Sequence, residues 1–181
     1  MARYAAGEDL AFSPLCALLA PRVRAFFLRS FQDQRQADTL AETTFFRLRQ
    51  ARTEYRPDMA LKPWVFTIAA GVRRDELGRR YGLRPGIDEA GLVQAETDAT
   101  SEAVAGSDGR HDWVDSARAA IARLPESQRV VLHLQGYEGL PLEQIATVLG
   151  TTPEAVRSRA CSAYGRLHGE LRVHLRPPSA T

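Results

Sequence analysis

Residues 141–171, PLEQIATVLGTTPEAVRSRACSAYGRLHGEL, constrain the fold more tightly than any other stretch of the chain. Leu142, Ile145, Ala146 and Leu149 fall on one side of a helical wheel, so the first half predicts an amphipathic helix. Gly150 follows, where a helix C-terminus favours a left-handed residue. Thr151 and Thr152 are candidate N-caps for a second helix. Pro153 is tolerated in that helix's first turn, and Glu154 is favoured at the positive end of its dipole. Val156, Ala160, Ala163, Leu167 and Leu171, spaced four, three, four and four apart, define its buried stripe. Arg157, Ser158, Arg159 and Ser162 occupy the other face. This is the outline of a helix-turn-helix with a basic second helix, whose N-terminal residues would reach base edges in a major groove. A solvated helical hairpin has the same outline, so the rest of the chain must separate the two.

At 181 residues the chain is long enough for one domain or two small ones. Hydrophobic residues at 44% and charged residues at 25% fit an ordinary soluble protein. No apolar run approaches membrane-spanning length, and MARYAAGEDLAFSP lacks the apolar core of a signal peptide; a cytoplasmic location without membrane insertion is the expectation. Cys16 and Cys161 have no second cysteine at a zinc or redox spacing, and the four histidines complete no such pattern, so no metal is expected. Both cysteines read as small buried apolar residues. The net charge of +2 hides an uneven distribution. Residues 1–80 carry +5, residues 81–112 carry −5 and residues 113–181 carry +2. Two basic blocks thus flank an acidic connector. Of the 24 basic residues only Lys62 is lysine. Arginine suits bidentate phosphate and guanine contacts, and a GC-rich genome produces the same bias.

In chain order, Leu15, Leu18, Leu19, Val23, Phe26 and Phe27 predict one broad helical face between Leu10 and Phe31, with Arg22, Arg24 and Arg29 outside and Pro21 a kink or break. A second helix is expected from about Gln36 to Arg52, its core face Ala37, Leu40, Phe45 (or Thr44) and Leu48. TEYRPDMALKP reads as a loop. A third helix, roughly Trp64 to Tyr81, buries Trp64, Ile68 and Val72 and carries Arg73, Arg74, Arg79 and Arg80 in its later half. Residues 82–112 are rich in Gly, Ala, Ser, Thr and acid, the composition of a flexible linker. Helical patterning resumes at Trp113 with Ala117, Ala120, Ile121 and Leu124, then Val130, Val131 and Leu134, ending at Gly136. The expected fold is therefore all-α: two small helical domains, residues 1–81 and 113–176, joined by a flexible acidic linker at 82–112. The second is a four-helix helix-turn-helix domain, and 177–181 is a fraying tail.

These residues resemble a known family. IARLPESQRVVLHLQGYEGLPLEQIATVLGTTPEAVRSRACSAYGRLHGEL is similar to region 4, the promoter-reading C-terminal domain of bacterial extracytoplasmic-function (ECF) sigma factors of the sigma-70 family. The pattern is an L-P-x-x-Q-R opening, an E-G-L turn, an E-x-I-A helix, L-G and a V-R/K-S-R recognition helix; the visible departure is Pro141, where the family often has a serine cap. In the N-terminal block, LLAPRVRAFFLRSF resembles the family's opening helix. DQRQADTLAETTFFRLRQAR resembles its D-x-x-D-A-E-D-L-V-Q-E-T-F-L-R-L-W-R-A-R stretch, and ALKPWVFTIAAGVRRDELGRR its F-R-A-W-L-F-x-I-A-R-N-x-x-x-D-x-L-R-R helix. The matches occur in order across nearly the whole chain.

The resemblance implies a promoter-specificity subunit that performs no chemistry and needs no cofactor or small-molecule substrate. Its expected partners are promoter DNA, core RNA polymerase (the clamp coiled coil of the largest subunit, and the flap for the C-terminal domain) and an anti-sigma factor. It implies −35 contacts from Thr152, Glu154, Ala155, Arg157, Ser158 and Arg159. It implies −10 contacts from Arg56, Asp58, Lys62, Arg73 and Arg74, and polymerase contacts from Thr39, Leu40, Glu42, Thr43 and Phe45. Two departures stand out. Thr39 and Thr43 replace family carboxylates, each loss worth roughly 1–3 kcal/mol at a desolvated contact, with Glu42 carrying a charge where the family has glutamine. Ala70–Gly71 replaces an arginine–asparagine pair. These departures keep open a stand-alone helix-turn-helix regulator with weak or no polymerase binding; a further alternative, compatible with the first reading, is an interaction protein whose first domain binds a regulatory partner.

Overall fold

Helices form wherever the sequence repeats apolar residues every three or four positions. The structure, a computed structural model, describes residues 1–84, 88–100 (side chains through 95) and 113–172. Among these the regular elements are helices α1 (Ala2–Ala5), α2 (Phe12–Phe31), α3 (Gln34–Gln50), α4 (Leu61–Arg80), α5 (Glu89–Thr100), α6 (Trp113–Arg123), α7 (Glu126–Leu132), α8 (Leu142–Leu149) and α9 (Pro153–Leu171). Short 3-10 turns cover Asp9–Ala11 and Ala51–Glu54, and a π turn covers His133–Tyr137.

The first domain is built on α2. Leu15, Leu19, Val23, Phe26, Phe27 and Phe31 form its buried stripe against α3 and α4. Leu18, expected on that face, is exposed instead. The stripe follows a four-residue step from Leu15 through Leu19 to Val23, and Leu18 falls just outside it. Pro21 does not divide α2, which runs unbroken from Phe12 to Phe31; it is exposed, so the hydrogen bond it removes lies on the solvent side. The helix ends at Gln32, which adopts φ 58, and Asp33 caps α3 by accepting from the Gln36 amide at 3.0 Å. On α3 the core position is Thr44, fully buried with its hydroxyl donated to the Leu40 carbonyl at 2.8 Å; Phe45 is only partly buried. The segment Asp9–Phe31 is 23 residues long and contains an 18-residue stretch with a mean hydropathy of 1.4, sufficient by length and composition to cross a membrane. This corrects the reading that no such run exists. Its apolar stripe is nevertheless occupied by α3 and α4.

The second domain follows its pattern closely. Ile145, Ala146, Val148 and Leu149 of α8 are buried, as are Val156, Ala160 and Ala163 of α9. Leu167 and Leu171 are half-buried. Gly150 adopts φ 68, and Thr152 accepts from the Ala155 amide at 3.2 Å, so both ends of the turn are capped as expected. The helix expected to stop at Gly136 continues as the π turn to Tyr137, and the left-handed glycine is Gly139, at φ 67. Cys161 is exposed, not buried, on the outer face of α9; Cys16 is half-buried, which raises its thiol pKa.

The connector differs from the flexible linker its composition suggests. Asp88 accepts from the Gly91 amide at 2.8 Å and starts α5, on which Glu89 and Leu92 are buried. The remainder of the expected linker, 101–112, and the expected tail, 177–181, lie outside the described residues.

The two domains are docked on one another, and one apolar cluster runs through both. The His133 ring packs edge-on to Phe26 at 5.5 Å and to Phe66 at 6.2 Å. Arg129 of α7 donates to the carbonyls of Arg29 (3.1 Å) and Ser30 (2.9 Å) at the end of α2. It also donates to those of Ala122 (3.1 Å) and Leu124. One guanidinium thereby satisfies C-terminal carbonyls in both domains, groups that a helix end leaves without partners.

Candidate nucleic-acid interface

Helix α9 is positioned by its buried stripe against α7 and α8, and this orientation turns Glu154, Arg157 and Ser158 to solvent near its N-terminus. Thr152 is exposed but its hydroxyl is engaged as the cap, while Ala155 is half-buried. Glu154, Arg157 and Ser158 are thus the candidate base-reading residues that stand open. Arg159 does not. Its side chain is 12% exposed and donates to Glu89 Oε1 at 3.1 Å.

Glu89 connects this helix to the candidate −10 helix. Arg73 of α4, expected at backbone phosphates, is 1% exposed and surrounded by acid. It donates to Glu89 at 2.9 and 3.2 Å and to Glu126 Oε1 at 2.7 Å, with a further bond to Glu126 Oε2. Burial alone would lower the pKa of Arg73, but the Glu126 and Glu89 charges outweigh it and raise the value above that of a free guanidinium. Two arginines and two glutamates therefore form one buried, charge-balanced network spanning α4, α5, α7 and α9. The assignment of Arg73 to phosphate binding is corrected for this conformation, in which every guanidinium nitrogen is bonded to carboxylate. Arg74, its neighbour, is half-buried, and its Nη1 lies 3.3 Å from where a Cβ on Gly150 would sit. The candidate −10 helix thus covers the turn that leads into the candidate −35 helix.

The other −10 candidates are split. Arg56 and Asp58 are exposed and paired at 2.8 Å in the loop before α4. Tyr55 donates its hydroxyl to the Met59 carbonyl at 3.0 Å and packs edge-on to Trp64, which is buried. Lys62 reaches across to the second domain and donates to the Glu138 carbonyl at 2.9 Å. Glu138 is itself a docking residue: buried, it pairs with Arg22 of α2 at 3.2 Å and lies 3.7 Å from His133 Nε2. Arg29 sits over the Tyr137 ring at 3.8 Å and 3.4 Å from His133 Nδ1. Burial, reinforced by the Arg29 charge, pushes the His133 pKa down to about 3, so the ring is neutral at physiological pH. His133 Nε2 makes no hydrogen bond.

The candidate polymerase residues lie on α3. Leu40 is buried and belongs to the core, whereas Thr39 and Glu42 are exposed and Thr43 and Phe45 half-buried. Thr39 donates its hydroxyl to the Arg35 carbonyl at 3.1 Å, and Thr43 donates to the Thr39 carbonyl at 2.9 Å, so both are engaged with their own helix. Phe46, 62% exposed, completes the face defined by 39, 42, 43 and 46, a position that the sequence reading missed. The i, i+3, i+4, i+7 spacing of that face was the available signal. Arg29, Arg129, Glu89, Glu126 and Glu138 were missed as well. Their partners lie far away in sequence, and no local pattern marks them. Among the described residues, no group of three or more His, Cys, Asp or Glu side chains is placed to hold a metal ion.

Residues 115–167 match the family model for sigma-70, region 4. The chain is 30% identical over 178 residues to the RNA polymerase sigma factor CarQ of Myxococcus xanthus, covering 97% of this chain and 99% of that protein. It is 28% identical to the ECF RNA polymerase sigma factor EcfG of Rhodopseudomonas palustris, covering 84% and 81%. Among solved structures, it resembles the sigma factor RpoE in complex with the anti-sigma factor NepR from Bartonella quintana, with a TM-score of 0.62 and 22% identity, covering 90% of this chain and 98% of that one. That likeness is one of fold.

Proposed function

This chain belongs to the extracytoplasmic-function group of sigma-70 RNA polymerase sigma factors, which direct core polymerase to promoters, and we propose that it divides this task between its two domains. Helix α9 reads the −35 element through Arg157 and Ser158, and through Arg159 once that side chain is released from Glu89. The first domain, residues 1–81, holds polymerase through the α3 face of Thr39, Glu42, Thr43 and Phe46, against the clamp coiled coil of the largest subunit. The exposed Arg56–Asp58 loop and Lys62 serve the −10 element. The second domain, residues 113–176, meets the polymerase flap. Nucleotide addition belongs to the polymerase, and this chain supplies no catalytic group, cofactor or metal. It works in the cytoplasm, where an anti-sigma factor is its natural inhibitory partner.

The observation that carries this reading is the capped turn before α9. Gly150 in the left-handed region and Thr152 at the N-cap hold an open Arg157 at the start of a helix fixed by three buried residues. The test is reconstitution. Purified chain mixed with core polymerase is expected to form a complex and to give run-off transcripts that depend on promoter sequence. No complex and no promoter-dependent transcript at micromolar protein would leave the stand-alone regulator instead.

A further inference from the structure

One buried acid joins the two domains through the connector. Glu89, 1% exposed at the start of α5, accepts from Arg73 of α4 and from Arg159 of α9. Building on the assignment of α9 as the −35 reader, we propose that Glu89 is an internal competitor for the DNA-reading arginine, latching the free chain in a closed form that does not read promoters.

Three observations support the latch. Held at 12% exposure with Nη1 on Glu89, the Arg159 side chain cannot reach out to a guanine edge, so it serves either Glu89 or DNA. Arg74 also stands against Gly150, placing α4 over the entry to the recognition helix. Size decides the rest. A compact chain of this length has a radius of gyration of about 16 Å. Elements at −10 and −35 lie about 25 base pairs apart, or roughly 85 Å at 3.4 Å per pair. The docked domains cannot span that distance, whereas a fully extended connector of about 30 residues covers roughly 100 Å. Promoter engagement therefore requires undocking, and undocking requires Glu89 to release at least one arginine. The exchange is chemically matched: Arg159 trades a carboxylate for the acceptors of a base or phosphate. Apparent promoter affinity of the free chain is then lowered by the fraction of molecules that are closed.

The two native cysteines, Cys16 on α2 and Cys161 on α9, allow a direct test. Spin labels on them report the interdomain distance by pulsed electron resonance, and a duplex carrying the −35 element reports binding. The wild type is expected to give one narrow distance population. Glu89→Gln is expected to give a longer, broader one and to bind the duplex at least tenfold more tightly. Glu89→Asp, too short to bridge both arginines, should fall between. Arg157→Ala should weaken duplex binding in each background. A folded Glu89→Gln chain with wild-type distances and affinity, in a series where Arg157→Ala still weakens binding, overturns the latch and leaves the −35 assignment standing. If Arg157→Ala has no effect, the −35 assignment fails and the proposal fails with it. Should the Glu89 variants not fold, hydrogen exchange on the wild type decides: saturating duplex is expected to remove protection from the amides of residues 92–95, and unchanged protection in the bound state overturns the proposal.

Discussion

The two domains present their candidate nucleic-acid faces in different ways. In the second, the recognition helix keeps Arg157 open and is held by short-range features: a left-handed glycine, a threonine cap and a stripe of small apolar residues. In the first, α4 has turned inward. Arg73 is consumed by a buried network, Arg74 stands against the second domain, and Lys62 donates across the interface. A run of arginines on a helix is therefore not one surface. Arg73 and Arg74 are adjacent in sequence, yet only Arg73 meets two carboxylates within a low-dielectric site. There the charges are costly to separate, so the side chain acts as structure.

The largest effect that would test this contrast comes from Arg73→Met. If Arg73 is structural, the change leaves Glu89 and Glu126 buried beside an uncharged side chain and destabilises the chain by about 3–5 kcal/mol in urea unfolding. A loss below about 0.5 kcal/mol would return Arg73 to the surface and erase the contrast. Next in size is the effect of pH on the docked interface. His133 is neutral when folded, with its pKa pushed down to about 3, while an unfolded histidine titrates near 6.5. Between these values the unfolded state binds more protons, so stability is fully present above about pH 6.5 and is lost as pH falls toward 3. Between pH 7 and 5 the loss should be roughly 2 kcal/mol, and His133→Phe, placed among Phe26 and Phe66, should remove that part of the slope. Equal slopes in the two proteins would show that His133 is not the responsible group.

The exposed α3 face of the first domain is free of the buried network. Thr39→Asp with Thr43→Glu should tighten binding to core polymerase by about 1–3 kcal/mol while changing stability little, because both hydroxyls bond only to their own exposed helix. Unchanged affinity would show that the threonines do not limit this domain. Smallest is Gly71→Ala. A Cβ there meets nothing within 4 Å, so α4 should gain up to about 1 kcal/mol of stability, measured as a higher unfolding midpoint. A loss of stability instead would mean that Gly71 serves a contact absent from the docked form.

What could be read from the sequence was local. The α8–α9 turn depends on residues within four positions of each other, and Gly150, Thr152 and Pro153 carry their conformations in their chemistry. The all-α architecture followed from helical periodicity alone. The interdomain network was hidden because Arg73 finds its partners 16 and 53 residues away, and nothing near Glu89 signals burial. Helix α5 was missed because composition outweighed a legible cap at Asp88. Thr44 and Phe45 were ambiguous because a period of 3.6 lets adjacent residues share the edge of a buried stripe. A buried hydroxyl settled the choice by bonding to its own helix.

The division of labour we propose rests on α9 reading the −35 element through an arginine the fold leaves open. The most direct test is run-off transcription with core polymerase on two templates, one intact and one with the −35 element scrambled, using wild-type chain and Arg157→Ala. The wild type is expected to prefer the intact template, and Arg157→Ala to lose roughly 1–3 kcal/mol of that discrimination, with an unchanged unfolding midpoint. Full discrimination by a folded Arg157→Ala chain would contradict it.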